Sequence, residues 1–357
     1  MSLLPATVPL SAGTTFFNKY QLIGPIGGGG FGDVWLADDR TVNHRFAVKI
    51  LKPGLSVDAQ LTEAKVGHAF THNNLVRVHQ ADVTTDGRVV IAMDYHAAGA
   101  ITTLANPANF VPLPQVLRAT IDILQGLEHL HSLNVFHNDI KTENILLGEH
   151  GQAILTDYGI VGISPTGGPV APPNWYVLHA APEVSNGTGI DARTDIFQVG
   201  LTMFRLLVGL PTLEAIYRTV GKDGYVKAIS SGELLGPPDF PHHVPGAVRR
   251  IISKAISVNP DNRYQSALEM RRTLEKLSYA GHWTVGPDGK PLGIGQSHEY
   301  TYDCIKQSSG KFAVSASKTN TRSERTTAVK SFSEKNLGRT AAEKLVAKFV
   351  KAVIEGI

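Results

Sequence analysis

His137-Asn138-Asp139-Ile140-Lys141-Thr142-Glu143-Asn144 follows a stretch in which Val116, Leu117, Ile121, Leu124, Leu127 and Leu130 recur at three- and four-residue steps. That period puts the apolar side chains on one face of a long helix, so the polar octet begins where a buried helix has just ended. Asp139 is a carboxylate able to accept a hydroxyl proton and aim the oxygen that carried it. Asn144, five residues on, offers an amide oxygen of the kind a hard divalent cation takes. Thr156-Asp157-Tyr158-Gly159, after the apolar strand Ala153-Ile154-Leu155, adds a second carboxylate beside a glycine at which the chain can turn. Taken singly, each stretch is a polar loop with capping residues; the two together carry the argument.

Outward from the octet toward the N-terminus, Ile26-Gly27-Gly28-Gly29-Gly30-Phe31-Gly32-Asp33-Val34 is a glycine-rich turn whose backbone N–H groups can approach phosphate oxygens unobstructed. Dinucleotide-binding folds share such a turn but need a helix directly after it. Val34-Trp35-Leu36-Ala37 looks like a second strand instead, which makes a hairpin. Phe46-Ala47-Val48-Lys49-Ile50 then sets a lysine in a buried strand, where its charge requires a partner. Lys49 comes 17 residues after Gly32 and can reach phosphates held under the hairpin. Glu63, on a helix running from a Ser56 cap to Phe70, is its natural ion-pair partner.

Together these elements resemble the protein kinase family. The glycine loop, the Val-Lys strand, the helix glutamate, the H-x-D-x-K-x-x-N loop, Asp157-Tyr158-Gly159 and Ala181-Pro182-Glu183 stand in the family's order across about residues 18–278. The resemblance implies a bilobal α+β fold, strand-rich at about 19–95 and helical at about 96–278. It implies ATP held under Ile26, Gly27, Gly28, Gly29, Gly30, Phe31 and Gly32, with Val34, Ala47 and Leu146 around the adenine. Met93 would stand at the back of that pocket, and Asp94, Tyr95 and His96 would form its hinge. Lys49 would contact the α- and β-phosphates, positioned by Glu63. Asp139 would orient the substrate hydroxyl and Lys141 would contact the γ-phosphate, while Asn144 and Asp157 hold Mg²⁺, with Mn²⁺ as the alternative ion. Asp195 looks like the buried aspartate that braces the catalytic loop, and Arg263 like the arginine that pairs with Glu183. Lysine at 141 places the chain with the serine/threonine branch, and Arg263-Tyr264-Gln265-Ser266-Ala267 with bacterial members. Ala181-Pro182-Glu183 with Arg263 implies a protein substrate rather than a small molecule.

The sequence departs from that family at several points. Asn138 stands where an arginine commonly precedes the catalytic aspartate, which argues against switching by a phosphorylated loop. Gly67 replaces a bulky apolar residue behind Tyr158, leaving either a gap or a space that a neighbour fills. Trp175-Tyr176 replaces Gly-Thr ahead of Ala181, and His179 a tyrosine, so the docking surface for the substrate is unusual. Ser164 and Thr166 are the expected autophosphorylation sites of this segment.

Composition sets the remaining bounds. The 357 residues are 42% hydrophobic and 18% charged, ordinary for a globular chain, and the single cysteine, Cys304, excludes an intramolecular disulfide. No run approaches the roughly 20 apolar residues of a membrane helix, and residues 1–15 lack the basic start of a secretory signal. The expectation is a cytoplasmic protein with no membrane partner. Residues 1–18 look like an arm and 279–298 a glycine- and proline-punctuated linker. Beyond it, Glu299–Ile305, Lys311–Ser317 and Thr326–Phe332 look like strands and Thr340–Ile354 like a helix, a small β-β-β-α module over 299–357. Between Lys306 and Lys351, 11 Lys/Arg face three acidic residues, so nucleic acid, an acidic partner or plain packing on the large lobe are the readings of this module. For the whole chain, an active serine/threonine kinase is weighed against a pseudokinase scaffold acting through the module. Lys49, Asp139, Asn144 and Asp157 favour the first, Gly67 and the unusual segment before Ala181 the second.

Overall fold

The computed structural model describes residues 9–29, 32–52, 57–236 and 239–357, apart from the side chains of 57–60, 62 and 63. The first lobe contains β1 (Thr15–Phe16), β2 (Tyr20–Gly28), β3 (Gly32–Asp39), β4 (His44–Leu51), α1 (Val57–Ala69), β5 (Val78–Val83) and β6 (Val89–Asp94). Among the described residues its strands form one antiparallel sheet ordered β1-β2-β3-β4-β6-β5. The two-residue period of β4 sorts its side chains. Phe46, Val48 and Ile50 join Tyr20, Leu22 and Val90 on one face, whereas Ala47 and Leu51 join Ile91 and Met93 on the other. Lys49, between Ala47 and Leu51, therefore turns to the second face, which looks onto the other lobe. Phe16 is buried in this sheet's core, so the expected arm of residues 1–18 gives way to sheet by Thr15.

The second lobe is built on α2 (Leu113–Ser132), β7 (Val135–Phe136), β8 (Ile145–Leu147), β9 (Ala153–Leu155), β10 (Gly162–Ile163), α3 (Pro182–Asn186), α4 (Ala192–Val208), α5 (Thr212–Ser231), α6 (Gly246–Ala255) and α7 (Ala267–Glu275). A capping box between Asp191 and Thr194 starts α4, whose side chains from Thr194 to Leu207 are buried all round. α2 packs its Val116, Ile123, Leu124, Leu127 and Leu130 face into the same core. The hairpin β8–β9 carries the chain from the polar octet to Asp157, and β10 pairs with β7 in antiparallel register.

The last unit differs from the expected β-β-β-α module. It holds β11 (His282–Val285), β12 (Pro291–Ile294), β13 (His298–Lys306), β14 (Phe312–Asn320), β15 (Thr326–Ala328), β16 (Glu334–Leu337) and α8 (Arg339–Glu355). β11 to β15 run in order across one antiparallel sheet, and β16 adds to the other end of β14. Residues 279–298 are thus the first hairpin of this sheet rather than a linker. Their glycines serve close packing: a Cβ on Gly281 would lie 2.5 Å from the Val353 carbonyl oxygen, and one on Gly293 would lie 3.0 Å from the Trp283 ring. The expected strand Thr326–Phe332 stops at Ala328, followed by a turn of 3₁₀ helix at Lys330–Phe332. Trp283, Tyr300, Val314 and Phe349 form a separate core, and Tyr279 packs against both that core and the main one. Ala280 and Gly281 N–H donate to the Ile354 carbonyl (3.1 and 3.3 Å), closing the unit on α8, and Asn106 Nδ2 donates to Thr284 Oγ1 (3.3 Å), which with Tyr279 seats the unit on the helical lobe.

Candidate active site

The octet is held by α4. Asp195 accepts hydrogen bonds from the backbone N–H of His137 (2.9 Å) and Asn138 (2.7 Å) and from His131 Nε2 (2.8 Å). One turn on, Gln198 accepts from Ile140 N–H (2.9 Å) and donates to the Asn138 carbonyl (2.8 Å). Thr202 Oγ1 donates to the Ile140 carbonyl at 3.2 Å. Positions 195, 198 and 202 share one helix face, so a single rigid element satisfies the buried backbone of the loop. In the sequence Gln198 and Thr202 interrupt an apolar run. Their spacing after Asp195 is the signal that marks them as part of the brace.

On that frame Asp139 is buried, and Lys141 Nζ donates to both of its oxygens (2.9 and 2.7 Å). Asn144 Nδ2 donates to the Asp139 carbonyl (2.9 Å) and to Oδ2 (2.8 Å). His137 is neutral by geometry: its Nε2–H donates to the Thr156 carbonyl (3.2 Å) and its Nδ1 accepts from Asp139 N–H (3.3 Å). Burial pushes its pKa down against the pull of the Asp195, Asp139 and Asp157 carboxylates.

From the other lobe Lys49 reaches Asp157 Oδ1 at 2.7 Å. Burial raises the pKa of Asp157, but Lys49, Lys141 and the Gly159 N–H together outweigh it, and the carboxyl titrates below its ordinary range. Asp157 holds φ at +71°, a left-handed conformation rare for a side-chain-bearing residue, which aims it at Lys49. Tyr158 then turns under α1, buried, and its hydroxyl donates to the Val76 carbonyl (3.0 Å). The space behind Tyr158 is filled: a Cβ on Gly67 would lie 2.4 Å from Val78 Cγ2 and 3.0 Å from the Tyr158 ring. A bulky residue has no room there. The α1 backbone carries Glu63, but its side chain lies outside the described residues, as do Gly30, Phe31 and the expected Ser56 cap.

The remaining residues expected around ATP line the cleft from both sides. β2 and β3 form a hairpin with bulges near Gly24 and Gly27, and Gly29 N–H donates to the Gly32 carbonyl (2.9 Å). Gly32 has no alternative residue, since a Cβ there would meet the Ile50 carbonyl oxygen at 2.6 Å. Gly27 pairs with Val34 and Gly28 with Asp33, and Ile26 is exposed on the same hairpin. Val34 pairs with Lys49 across β3–β4, and Ala47 with Met93 across β4–β6, so all four share the cleft face. Leu146 on β8 bridges to Ala100, just past Asp94, Tyr95 and His96 where the lobes join.

The segment from Asp157 to Glu183 is fixed at several points. Asn138 Nδ2 donates to the carbonyls of Ile160 (3.2 Å) and Asn174 (2.9 Å), tying both ends of the segment to the octet. Val170 and Ile190 exchange backbone hydrogen bonds (3.0 and 2.7 Å). Ser164 is buried and its hydroxyl donates to the Gly168 carbonyl (2.7 Å), whereas Thr166 is exposed. Of the two expected autophosphorylation sites, only Thr166 is open to a phosphoryl donor in this arrangement. Glu183 and Arg263 form a bidentate pair, 2.7 Å at each arm, to which Thr194 Oγ1 donates at 2.8 Å. Arg263 also donates to the carbonyls of Ser257, Arg193 and Val258, so its buried charge is fully engaged.

Lys344, Lys348 and Lys351 lie along the exposed face of α8, whereas Glu299 and Asp303 stand on the sheet face away from it.

Comparison with known proteins bears on the same constellation. The protein kinase domain model matches residues 20–273. The serine/threonine-protein kinase PknJ of Mycobacterium tuberculosis is 32% identical over 309 residues, covering 80% of this chain and 50% of that protein. PknB of Mycobacterium leprae is 26% identical over 278 residues, covering 73% and 43% respectively. A probable serine/threonine-protein kinase of Clostridium perfringens is 27% identical over 277 residues, covering 75% and 39%. The chain thus spans half or less of the length of these relatives. No single helix among the described residues is long and apolar enough to cross a membrane. By the match over 20–273 and the bacterial serine/threonine kinases it resembles, the chain belongs to the protein kinase family.

Proposed function

We propose that the chain is an active serine/threonine protein kinase, working where ATP is supplied in the cytoplasm, that transfers the γ-phosphoryl group of ATP to hydroxyls of proteins, itself included. The observation that carries this reading is the convergence of Lys49, Asp139, Lys141, Asn144 and Asp157 through bonds of 2.7–2.9 Å, with none of the five replaced. Asp139 accepts the hydroxyl proton as the oxygen attacks the γ-phosphorus, and the bond to the β-phosphate oxygen breaks to release ADP. Lys141 and Lys49 neutralise charge on the phosphates.

The donor set fits a divalent cation. Asn144 commits its amide nitrogen to Asp139, which leaves its oxygen as a ligand beside the ionised Asp157, and hard oxygen donors suit Mg²⁺ or Mn²⁺. Such an ion screens the phosphate oxygens when bound. Asp157 is the stronger of the two ligands, because its carboxylate carries a charge and the Asn144 amide oxygen does not.

The pseudokinase alternative rested on Gly67 and on the unusual segment before Ala181. The filled space around Gly67 and the fixed segment both support the active reading. The deciding experiment gives purified protein Mg²⁺ and γ-labelled ATP beside the Asp139→Ala and Lys49→Ala variants. Label on wild type that falls by about 10³-fold in Asp139→Ala supports it. An unlabelled wild type that still binds ATP, with a generic acceptor such as dephosphorylated casein also untouched, would return the chain to the scaffold reading.

A further inference from the structure

Tyr176 stands in the unusual Trp175-Tyr176 pair, and its ring lies against the catalytic ammonium. Lys141 Nζ sits 4.8 Å from the ring centroid while donating to both Asp139 oxygens. An ammonium over an aromatic face is attracted by the ring quadrupole, more strongly when water is kept away. Lys141 is largely sheltered here, with its side chain 19% exposed.

The ring is itself held from behind. His179 stacks on it at 6.0 Å between centroids with 26° between planes. His179 Nδ1–H donates to the Ile140 carbonyl (2.8 Å), which leaves Nε2 as the acceptor for Arg205 Nη1 (3.2 Å). Arg205 is buried and anchored in turn by Glu214 (2.6 Å) and Glu143 (3.2 Å). Burial and the neighbouring Arg205 hold the His179 pKa down to about 3, so the imidazole presents a neutral face to the tyrosine. The result is a chain of contacts running from Arg205 through His179 and Tyr176 to Lys141 and Asp139.

We propose that Tyr176 is a positioning residue for phosphoryl transfer, its ring face holding the Lys141 ammonium beside Asp139. The proposal rests on the kinase reading above. Lys141 has a four-carbon stem and three rotatable donors, so without a wall it samples many positions. The ring, 4.8 Å from Nζ, removes part of that freedom. The contribution belongs to the transfer step, because Lys141 meets the γ-phosphate rather than the adenine. It should appear in kcat and not in the KM for ATP.

The test is a double-mutant cycle on the full chain with Mg²⁺, ATP and dephosphorylated casein. Tyr176→Leu keeps an apolar side chain and removes the π face, and the expected result is a fall of about tenfold in kcat with the KM for ATP within twofold. Tyr176→Phe keeps the face and should recover most of that loss. With Lys141→Met in the background, Tyr176→Leu should add less than a twofold loss, since the group it positions is gone. Equal losses in both backgrounds would overturn the proposal, and so would a Tyr176→Phe variant as slow as Tyr176→Leu. If Tyr176→Leu melts well below wild type, Tyr176→Met supplies the same comparison with a more adaptable side chain. Wild type that transfers no phosphate would overturn the kinase reading itself, and that outcome is visible before any variant is compared.

Discussion

The octet at 137–144 and the unit from β11 to α8 each sit on a buried core, and they place their polar groups in opposite ways. In the octet His137, Asn138 and Asp139 are buried together with Asp195 and Gln198, each hydrogen-bonded in the interior. Taking such groups out of water is costly unless every partner is supplied. The C-terminal unit buries Trp283, Tyr300, Val314, Val346 and Phe349 and leaves its ion pairs in solvent. The difference teaches where function can be read. A buried polar network constrains residue identity at each position, whereas an apolar core with a solvated surface accepts many sequences of the same pattern.

The sharpest way to break the comparison is to remove one member of a buried pair. Arg263 is fully buried and Glu183 nearly so, and they meet at 2.7 Å. Arg263→Ala leaves the Glu183 carboxylate uncompensated and should lower stability by about 3–5 kcal/mol. Urea unfolding of the whole chain measures it. A loss under about 1 kcal/mol would mean that the interior there is far wetter than the geometry indicates.

Gly67 gives the next largest effect and tests steric rather than polar constraint. In an open helix Gly→Ala gains about 1 kcal/mol from propensity alone. In α1 the added Cβ would press on Val78 and Tyr158, so Gly67→Ala should instead cost about 1–3 kcal/mol. Val78→Ala in the same chain should recover part of that loss, because it removes the methyl that the Cβ meets. Stabilisation by Gly67→Ala alone would show that the space behind Tyr158 is open after all.

These two sites also show what was legible beforehand. Asp139, Asn144, Asp157 and Lys49 are fixed by chemistry at set spacing and visible in the bare sequence, whereas the Glu183–Arg263 pair follows only from the family resemblance. The two-lobed α+β fold follows from the family resemblance that those motifs carry. Gln198 was hidden because one polar residue in a helix buried on all sides looks like noise. α5 left little trace: only Leu213, Tyr225 and Ile229 are buried along it, and Gly221 interrupts it at φ 70°. The hairpin β11–β12 looks like a linker in the sequence because its glycines resemble punctuation, although Gly281 and Gly293 are there for close packing. The ring of Tyr176 against Lys141 depends on three-dimensional proximity and leaves no mark in the spacing.

Acid provides a milder probe of the buried network. His179 has its pKa held near 3 in the folded chain, against about 6.5 when unfolded. Between those values the unfolded chain binds the extra proton, so stability is full above about pH 6.5 and falls as the pH drops toward 3. Between pH 7 and pH 5.5 the loss from this residue should be about 1 kcal/mol. His179→Gln should flatten the pH dependence of the urea midpoint by that amount, leaving the slopes from His137 and His243 in place. An unchanged slope would mean that His179 is open to water in the native state.

The smallest effect lies in the C-terminal unit, and it is the control that gives the first prediction its meaning. Arg339 and Glu343 stand one turn apart on α8, bonded at 2.9 Å, with side chains 81% and 56% exposed. The bond is nearly as short as that between Arg263 and Glu183. In solvent, however, water competes for both charges, salt screens them, and two long side chains lose rotamer freedom to meet. Arg339→Ala should therefore change stability by only about 0.3–0.5 kcal/mol, and less again in 0.5 M salt. Measured beside Arg263→Ala under the same conditions, it separates distance from burial as the source of an ion pair's strength. If the two losses were alike, hydrogen-bond length alone would rank these pairs, and the contrast between octet and tail would lose its physical basis.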